Sequence, residues 1–194
     1  MPNAATPPAP RERILRTAID LFYTQGIKAT GINQIIAESG VAKASFYTHF
    51  PSKDDLVVAY AEHLADHEFV ELRQIASEGS TPRERLFAPL RSLEPWFQSS
   101  SYRGCPFQNL AAEISPEVTG IGRVVRRHRE NLRGLLRELL GEVIADEKLK
   151  ADPEALADTA LLLFEGAIAI SVAYREPWPV EHAINRLESL LAPN

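Results

Sequence analysis

The sequence lacks most features that mark other classes of protein. It has one cysteine in 194 residues, Cys105, so an internal disulfide is impossible and a reducing compartment such as the cytoplasm is expected. The start, MPNAATPPAP, has no basic region followed by an apolar run, which is the pattern of a secretory signal; it reads as a flexible tail. The longest apolar stretch, 159–174, is interrupted by Glu165. It is shorter than the ~20 residues a membrane span needs, so a buried helix is expected and no membrane partner. No segment alternates at period two, and no Asn-Gly or Asp-Gly pair signals a hairpin. Repeats are missing too. No Ser/His/Asp arrangement, metal-ligand cluster or phosphate-cradling glycine loop stands out, so neither an enzyme nor a bound cofactor or metal is expected. His63 and His67 are four apart on one helix, but no third ligand is evident.

What is present is helical. Hydrophobic residues make up 45% of the chain, ample for a core. The formal charge of −5 argues against general affinity for nucleic acid, but its distribution is uneven. Residues 1–53 carry six bases (Arg11, Arg13, Arg16, Lys28, Lys43, Lys53) and three acids (Glu12, Asp20, Glu38), a net of +3. The remainder is acidic. The basic third coincides with the most patterned stretch, TGINQIIAESGVAKASFYTHFPSK, residues 30–53.

That stretch reads as two short helices around a tight turn. Ile32, Ile35 and Ile36 recur at helical spacing. Thr30 precedes them and is expected to cap their helix. Gly40 stands where the helix must stop, in a position suited to a left-handed residue. Val41 plugs the angle between the helices. The second helix, about Ala42 to Phe50, buries Phe46 and Phe50 and turns Lys43, Ala44, Ser45, Tyr47, Thr48 and His49 outward. A DNA major groove admits one helix, and short polar side chains and methyls read base edges there. Ser52 begins S-x-x-D, a relative of the capping box, and opens the next helix.

These residues resemble the DNA-binding domain of the TetR family of bacterial transcriptional regulators. The likeness rests on Ile35-Ile36-Ala37, Gly40-Val41, Lys43, Tyr47, His49-Phe50 and Ser52-Lys53. It reaches back to Arg13-Ile14-Leu15, Ala18, Leu21-Phe22 and Gly26, and departs at Ala44, where the family commonly has glycine or proline. The resemblance implies an all-α protein with a three-helix DNA-binding domain at 10–55. A fourth helix, about 53–78, connects it to a helical ligand-binding and dimerisation domain at 80–194. It implies a homodimeric repressor on double-stranded operator DNA, released by a small-molecule effector or by modification of Cys105. Lys43, Ala44, Ser45 and Thr48 would lie closest to bases, Thr30, Tyr47, His49 and Lys53 at the phosphate backbone, and Gly31 at the DNA interface. The runner-up is a helical protein-interaction module or enzyme without a DNA-binding role.

Beyond the head, Thr81-Pro82-Arg83-Glu84 is a strong helix start. Pro89 and Pro95 predict a kink in the helix that follows. Residues 99–106 form a loop, Ser115-Pro116-Glu117 opens a long helix, and Asp152-Pro153 opens another that is apolar nearly all round. By the family resemblance, the last two helices make a dimer interface, with candidates Leu161, Leu162, Ile168, Val172, Ile184, Leu187 and Leu191. A ligand cavity is expected between the central helices, with Trp96, Phe97, Tyr102, Phe107, Asn109, His128 and Phe164 as its lining; each aromatic also fits plain core. Three roles fit Glu165: ligand contact, pairing across the dimer, or exposure to water. Gly104-Cys105-Pro106-Phe107-Gln108-Asn109-Leu110 resembles a G-C-[LP]-x-x-N-L segment of a TetR subgroup, some of whose members sense electrophiles or oxidants through this cysteine. Arg103 and the helix start beside Cys105 would favour its thiolate; the other reading is a small buried hydrophobe.

Overall fold

The computed structural model describes residues 8–114 and 119–192. These form ten α-helices and no strand among the described residues. Four belong to the head and its connection: α1 (Pro10–Gln25), α2 (Ile32–Ser39), α3 (Lys43–His49) and α4 (Lys53–Ser77). Six build the body: α5 (Pro82–Arg91), α6 (Leu93–Ser99), α7 (Pro106–Glu113), α8 (Thr119–Glu147), α9 (Pro153–Tyr174) and α10 (Trp178–Leu190). The Ser115-Pro116-Glu117 start signal lies outside the described residues.

Local chemistry places most boundaries. Gly40 ends α2 with φ 64° and ψ 29°, a left-handed conformation that an L side chain adopts only with strain. The Ser52 hydroxyl accepts the Asp55 amide and caps α4, a contact worth about 1 kcal/mol. Thr81 and Glu84 form a complete capping box at the start of α5. The proline-rich segment breaks where a kink was expected: α5 ends at Arg91 and α6 starts at Leu93. Pro95 falls in the first turn of α6, where its missing N–H is not needed.

In the head, α1 packs on α2, α3 and α4. Ile14, Ala18, Ile35, Phe46 and Leu56 are fully buried there. In the body, α4, α5 and α9 pack around the long α8, and α10 packs on α9 and α5. Length and composition alone do not tell a membrane span from the core helix of a globular protein. Helix α9 has 22 residues and is long and apolar enough to cross a bilayer. Instead it packs on α8 and α10, and its Glu154, Asp158 and Glu165 pair with Arg137, Arg133 and Arg129 of α8.

The corner between α4 and α5 is tight. A Cβ on Gly79 would meet the backbone nitrogen of Arg85 at 2.5 Å. Gly134, inside α8, has open space around it. Gly79→Ala should therefore destabilise by about 1–3 kcal/mol, while Gly134→Ala should stabilise by about 0.5–1 kcal/mol. Thermal unfolding of the two variants checks the pair; equal melting temperatures would refute the steric argument.

Candidate DNA interface and ligand cavity

The helix-turn-helix presents one polar face. Lys43, Ala44 and Thr48 are exposed, Tyr47 is 42% exposed, and Ser45 and His49 are half-buried. Phe46 points the other way, fully buried against Tyr47 and Phe50 with ring centroids 5.3 Å and 6.2 Å away. The Thr48 hydroxyl donates to the Ala44 carbonyl at 2.9 Å, which leaves its lone pairs and methyl to a partner.

Two expectations change. Thr30 does not cap α2; the N-cap is Gly31, without a side-chain bond. The Thr30 hydroxyl is fully buried and donates to the Gly26 carbonyl at 2.8 Å, so it ties the α1–α2 turn together and is turned away from any phosphate. Lys53 is also engaged within the protein: its ammonium donates to the Ile27 carbonyl at 2.6 Å. Gly31 is exposed and meets no obstruction.

Between the body and α1 lies a partly open cavity of about 530 Å³, in the range of small-molecule sites. Of the expected lining residues, Trp96, Cys105 and Phe164 reach it. The others do not. Phe97 is buried core and stacks on Tyr102 at 5.2 Å. Phe107 is buried and stacks on His128 at 3.8 Å. The Asn109 amide donates to the Arg103 carbonyl. Glu165 accepts Gln108 Nε2 at 2.9 Å and pairs with Arg129 at 3.4 Å, so it is neither in the cavity wall nor open to water. The lining that the sequence did not reveal comes from α1 and α4: Ile19, Tyr23, Tyr60, Leu64, Glu68 and Leu72. Tyr60 and Leu64 sit one helical turn apart on α4, and only packing shows that they face a void. Ile168, expected at a dimer interface, lines this cavity as well.

Burial shifts Cys105, Glu68 and His128 toward their uncharged forms. Burial raises the Cys105 thiol to about 12, assisted by Glu68. Burial raises Glu68 to about 7, assisted by Glu165 and Glu71. Burial lowers His128 to about 4, assisted by Arg129. His128 Nε2 lies 3.9 Å from Glu68 Oε1. Both shifts oppose charge on this pair and the separation is long for a hydrogen bond, so it is not an ion pair at neutral pH. The expected activation of Cys105 is not met. Its thiol is 4% exposed and protonated, and Arg103 lies over the Tyr23 ring. The Tyr23 hydroxyl is buried near Ser100 without a well-formed hydrogen bond, which makes it a free polar anchor at the cavity.

Cavity and head are physically joined. The cavity reaches α1 through Ile19, Asp20, Tyr23 and Thr24. Helix α7 begins beside Cys105 and ends at Glu113, whose Oε2 accepts the Ile27 amide at 2.8 Å and the Lys28 amide at 3.2 Å.

Comparison with known proteins decides what this arrangement is. Residues 14–60 match the family described as bacterial regulatory proteins, tetR family, and residues 82–187 match the tetracyclin repressor-like C-terminal domain. The chain belongs to the TetR family. It is a DNA-binding transcriptional regulator, and proteins of this family are not enzymes. Among TetR relatives in Bacillus subtilis, it is 27% identical to the HTH-type transcriptional regulator LmrA over 183 residues, 93% of this chain and 96% of that one. It is 31% identical to the uncharacterized HTH-type transcriptional regulator YxaF, covering 88% of each chain. The crystal structure of a TetR-family regulator from Streptomyces coelicolor superposes with a TM-score of 0.82 at 30% identity, over 97% of this chain and 91% of that one. TetR regulators bind operator DNA and function as dimers.

One face of this TetR protein is apolar and open. Leu162 is 74% exposed, and Gly166, Ala169, Ile170, Ala173 and Tyr174 continue the same stripe of α9 toward Trp178 of α10. The expected interface residues divide against this stripe. Leu162 lies on it. Leu161, Val172 and Ile184 are half-buried, and Ile168, Leu187 and Leu191 are buried within the protomer.

Proposed function

We propose that the protein is a cytoplasmic, homodimeric repressor whose α3 reads an operator half-site and whose hold on DNA is released by an apolar small molecule in the body cavity. Lys43, Ala44, Ser45 and Thr48 face bases; Tyr47, His49 and the Gly31 amide face phosphates, which fix register without carrying sequence information. The Leu162 to Tyr174 stripe joins the two protomers. Its small residues let two helices approach closely, and a two-fold dimer reads two half-sites one helical turn apart. The effector is apolar with one or two polar groups, suited to the walls formed by Leu64, Leu72, Trp96 and Phe164 and to the hydroxyl of Tyr23. The buried, protonated Cys105 thiol favours this route over release by modification of Cys105.

The observation that carries the reading is that α1, a helix of the head, forms part of the cavity wall. A ligand that fits the cavity only when α1 and α4 are displaced binds the DNA-incompetent state better, and this difference in affinity is the coupling. The test is fluorescence anisotropy of the purified protein on DNA from its own upstream region, at two salt concentrations, followed by titration with a panel of apolar ligands. Binding that weakens steeply with salt, and that a cavity ligand reverses, is the expected result. No salt-sensitive binding to that DNA, nor to any sequence recovered by unbiased selection, would refute it.

A further inference from the structure

We propose that Glu68, Cys105 and His128 form a binding site for a divalent transition-metal ion of the zinc class, with its fourth coordination position open to the body cavity. This goes beyond the regulator reading and stands without it, because it is tested on the protein alone. The three residues lie on three different helices, α4, the start of α7 and α8. One ligand atom from each, a carboxylate oxygen, the sulfur and an imidazole nitrogen, lies within 4.8 Å of the other two. Tetrahedral zinc with bonds of about 2.0–2.3 Å separates its ligand atoms by roughly 3.5 Å. His128 Nε2 and Glu68 Oε1 are already 3.9 Å apart. Small side-chain rotations close the remainder.

The chemistry of the set is selective. Thiolate and imidazole suit zinc, cobalt and copper, and the carboxylate is a hard third donor found in open zinc sites. On binding, the Cys105 thiol and any Glu68 carboxylic acid release their protons to solvent, and His128 binds as the neutral imidazole it already is. A thiolate and a carboxylate then balance the two positive charges, so the assembly is neutral as a whole and suited to its buried position.

Independent support comes from His128. It is 4% exposed, and its imidazole lies beside the Cys105 sulfur and the Glu68 carboxylate, 3.9 Å from the latter. Stacking on Phe107, with rings 10° from parallel, holds it there. Glu165 does not belong to the ligand set, because Gln108 and Arg129 already hold its carboxylate. Glu68 and Cys105 both line the cavity, which leaves room for water or an effector atom at the fourth position.

The experiment is titration of the reduced, metal-free protein with Co²⁺, followed by displacement with Zn²⁺. One Co²⁺ per protomer is expected, with tetrahedral bands in the visible and a thiolate-to-cobalt charge-transfer band in the near ultraviolet. Cys105 is the only cysteine in the chain, so that band identifies its own ligand. Cys105→Ser should abolish the band, and His128→Gln and Glu68→Gln should each weaken binding by at least about tenfold, the loss that even an outer-shell change can produce. Circular dichroism verifies that each variant is folded. If His128→Gln does not fold, the near-isosteric Cys105→Ser still decides. The double change His63→Gln, His67→Gln controls for that histidine pair, whose rings are 4.3 Å apart, and should leave the band in place. Cobalt binding without a thiolate band, affinity unchanged in folded His128→Gln, or binding lost only with His63 and His67 would each overturn the proposal.

Discussion

Phe46→Ala should remove operator binding while leaving a folded, dimeric body. Phe46 is fully buried at the centre of the head, against Phe50 and Tyr47. Truncating a buried phenylalanine costs about 3–5 kcal/mol. The head is a small unit, and α3 has only seven residues, too few to hold a helix without packing. Loss of the anchor releases α3 and with it the ordered face that meets DNA. Helix α3 packs chiefly on α1, while α8 packs chiefly on α4, α5 and α9. Anisotropy on upstream DNA should show a fall of at least about a hundredfold, consistent with the lower part of that energy range. Light scattering should still report a dimer. Retained affinity would mean that α3 does not carry recognition.

Glu113→Ala should separate the cavity from the head. Its carboxylate is the sole side-chain acceptor recorded for the Ile27 and Lys28 amides among the described residues. The Ile27 carbonyl is held at the same time by Lys53 of α4. The turn between α1 and α2 is thus gripped from the body by α7 and from the connecting helix by α4. Leaving a part-buried amide unpaired costs about 1–3 kcal/mol, similar to the coupling free energies of allosteric proteins, about 1–3 kcal/mol. The ratio of operator affinities without and with a cavity ligand should therefore fall toward one in Glu113→Ala, and hydrogen exchange at Ile27 and Lys28 should accelerate. Glu113→Gln keeps an acceptor oxygen and should be intermediate. An unchanged ratio in Glu113→Ala would place the coupling elsewhere, with the α1 wall of the cavity as the remaining route.

The helix-turn-helix was legible because its signals are short-range. The isoleucine spacing, the left-handed glycine, the Ser52 cap and the Thr81 box each act within a few residues, and their geometry follows from residue type. Thr30 misled because threonine before a helix has two local options, to accept the amides ahead or to donate to a carbonyl behind. Packing on Leu21 and Gly26 selected the second. The aromatics of the body misled for a related reason. Phe97 and Phe107 are buried as Phe164 is, yet of the three only Phe164 reaches the cavity, because burial does not distinguish a wall from a void. In the same way α9 is apolar on several sides, yet Ile168 is buried and Leu162 lies at the open surface, so apolarity alone did not say which residues face the core.

By itself, the sequence determined that this protein is helical and carries a basic helix-turn-helix ahead of an acidic helical body. Those properties depend on composition, periodicity and caps, which act between neighbours in the chain. Only the tertiary structure decided where the cavity lies, that α1 of the head borders it, that Glu113 holds the head from 85 or more residues away, and that Glu68, Cys105 and His128 converge. Each is a meeting of helices distant in sequence. The packing angles that bring them together come from the whole core at once, and no local pattern records them.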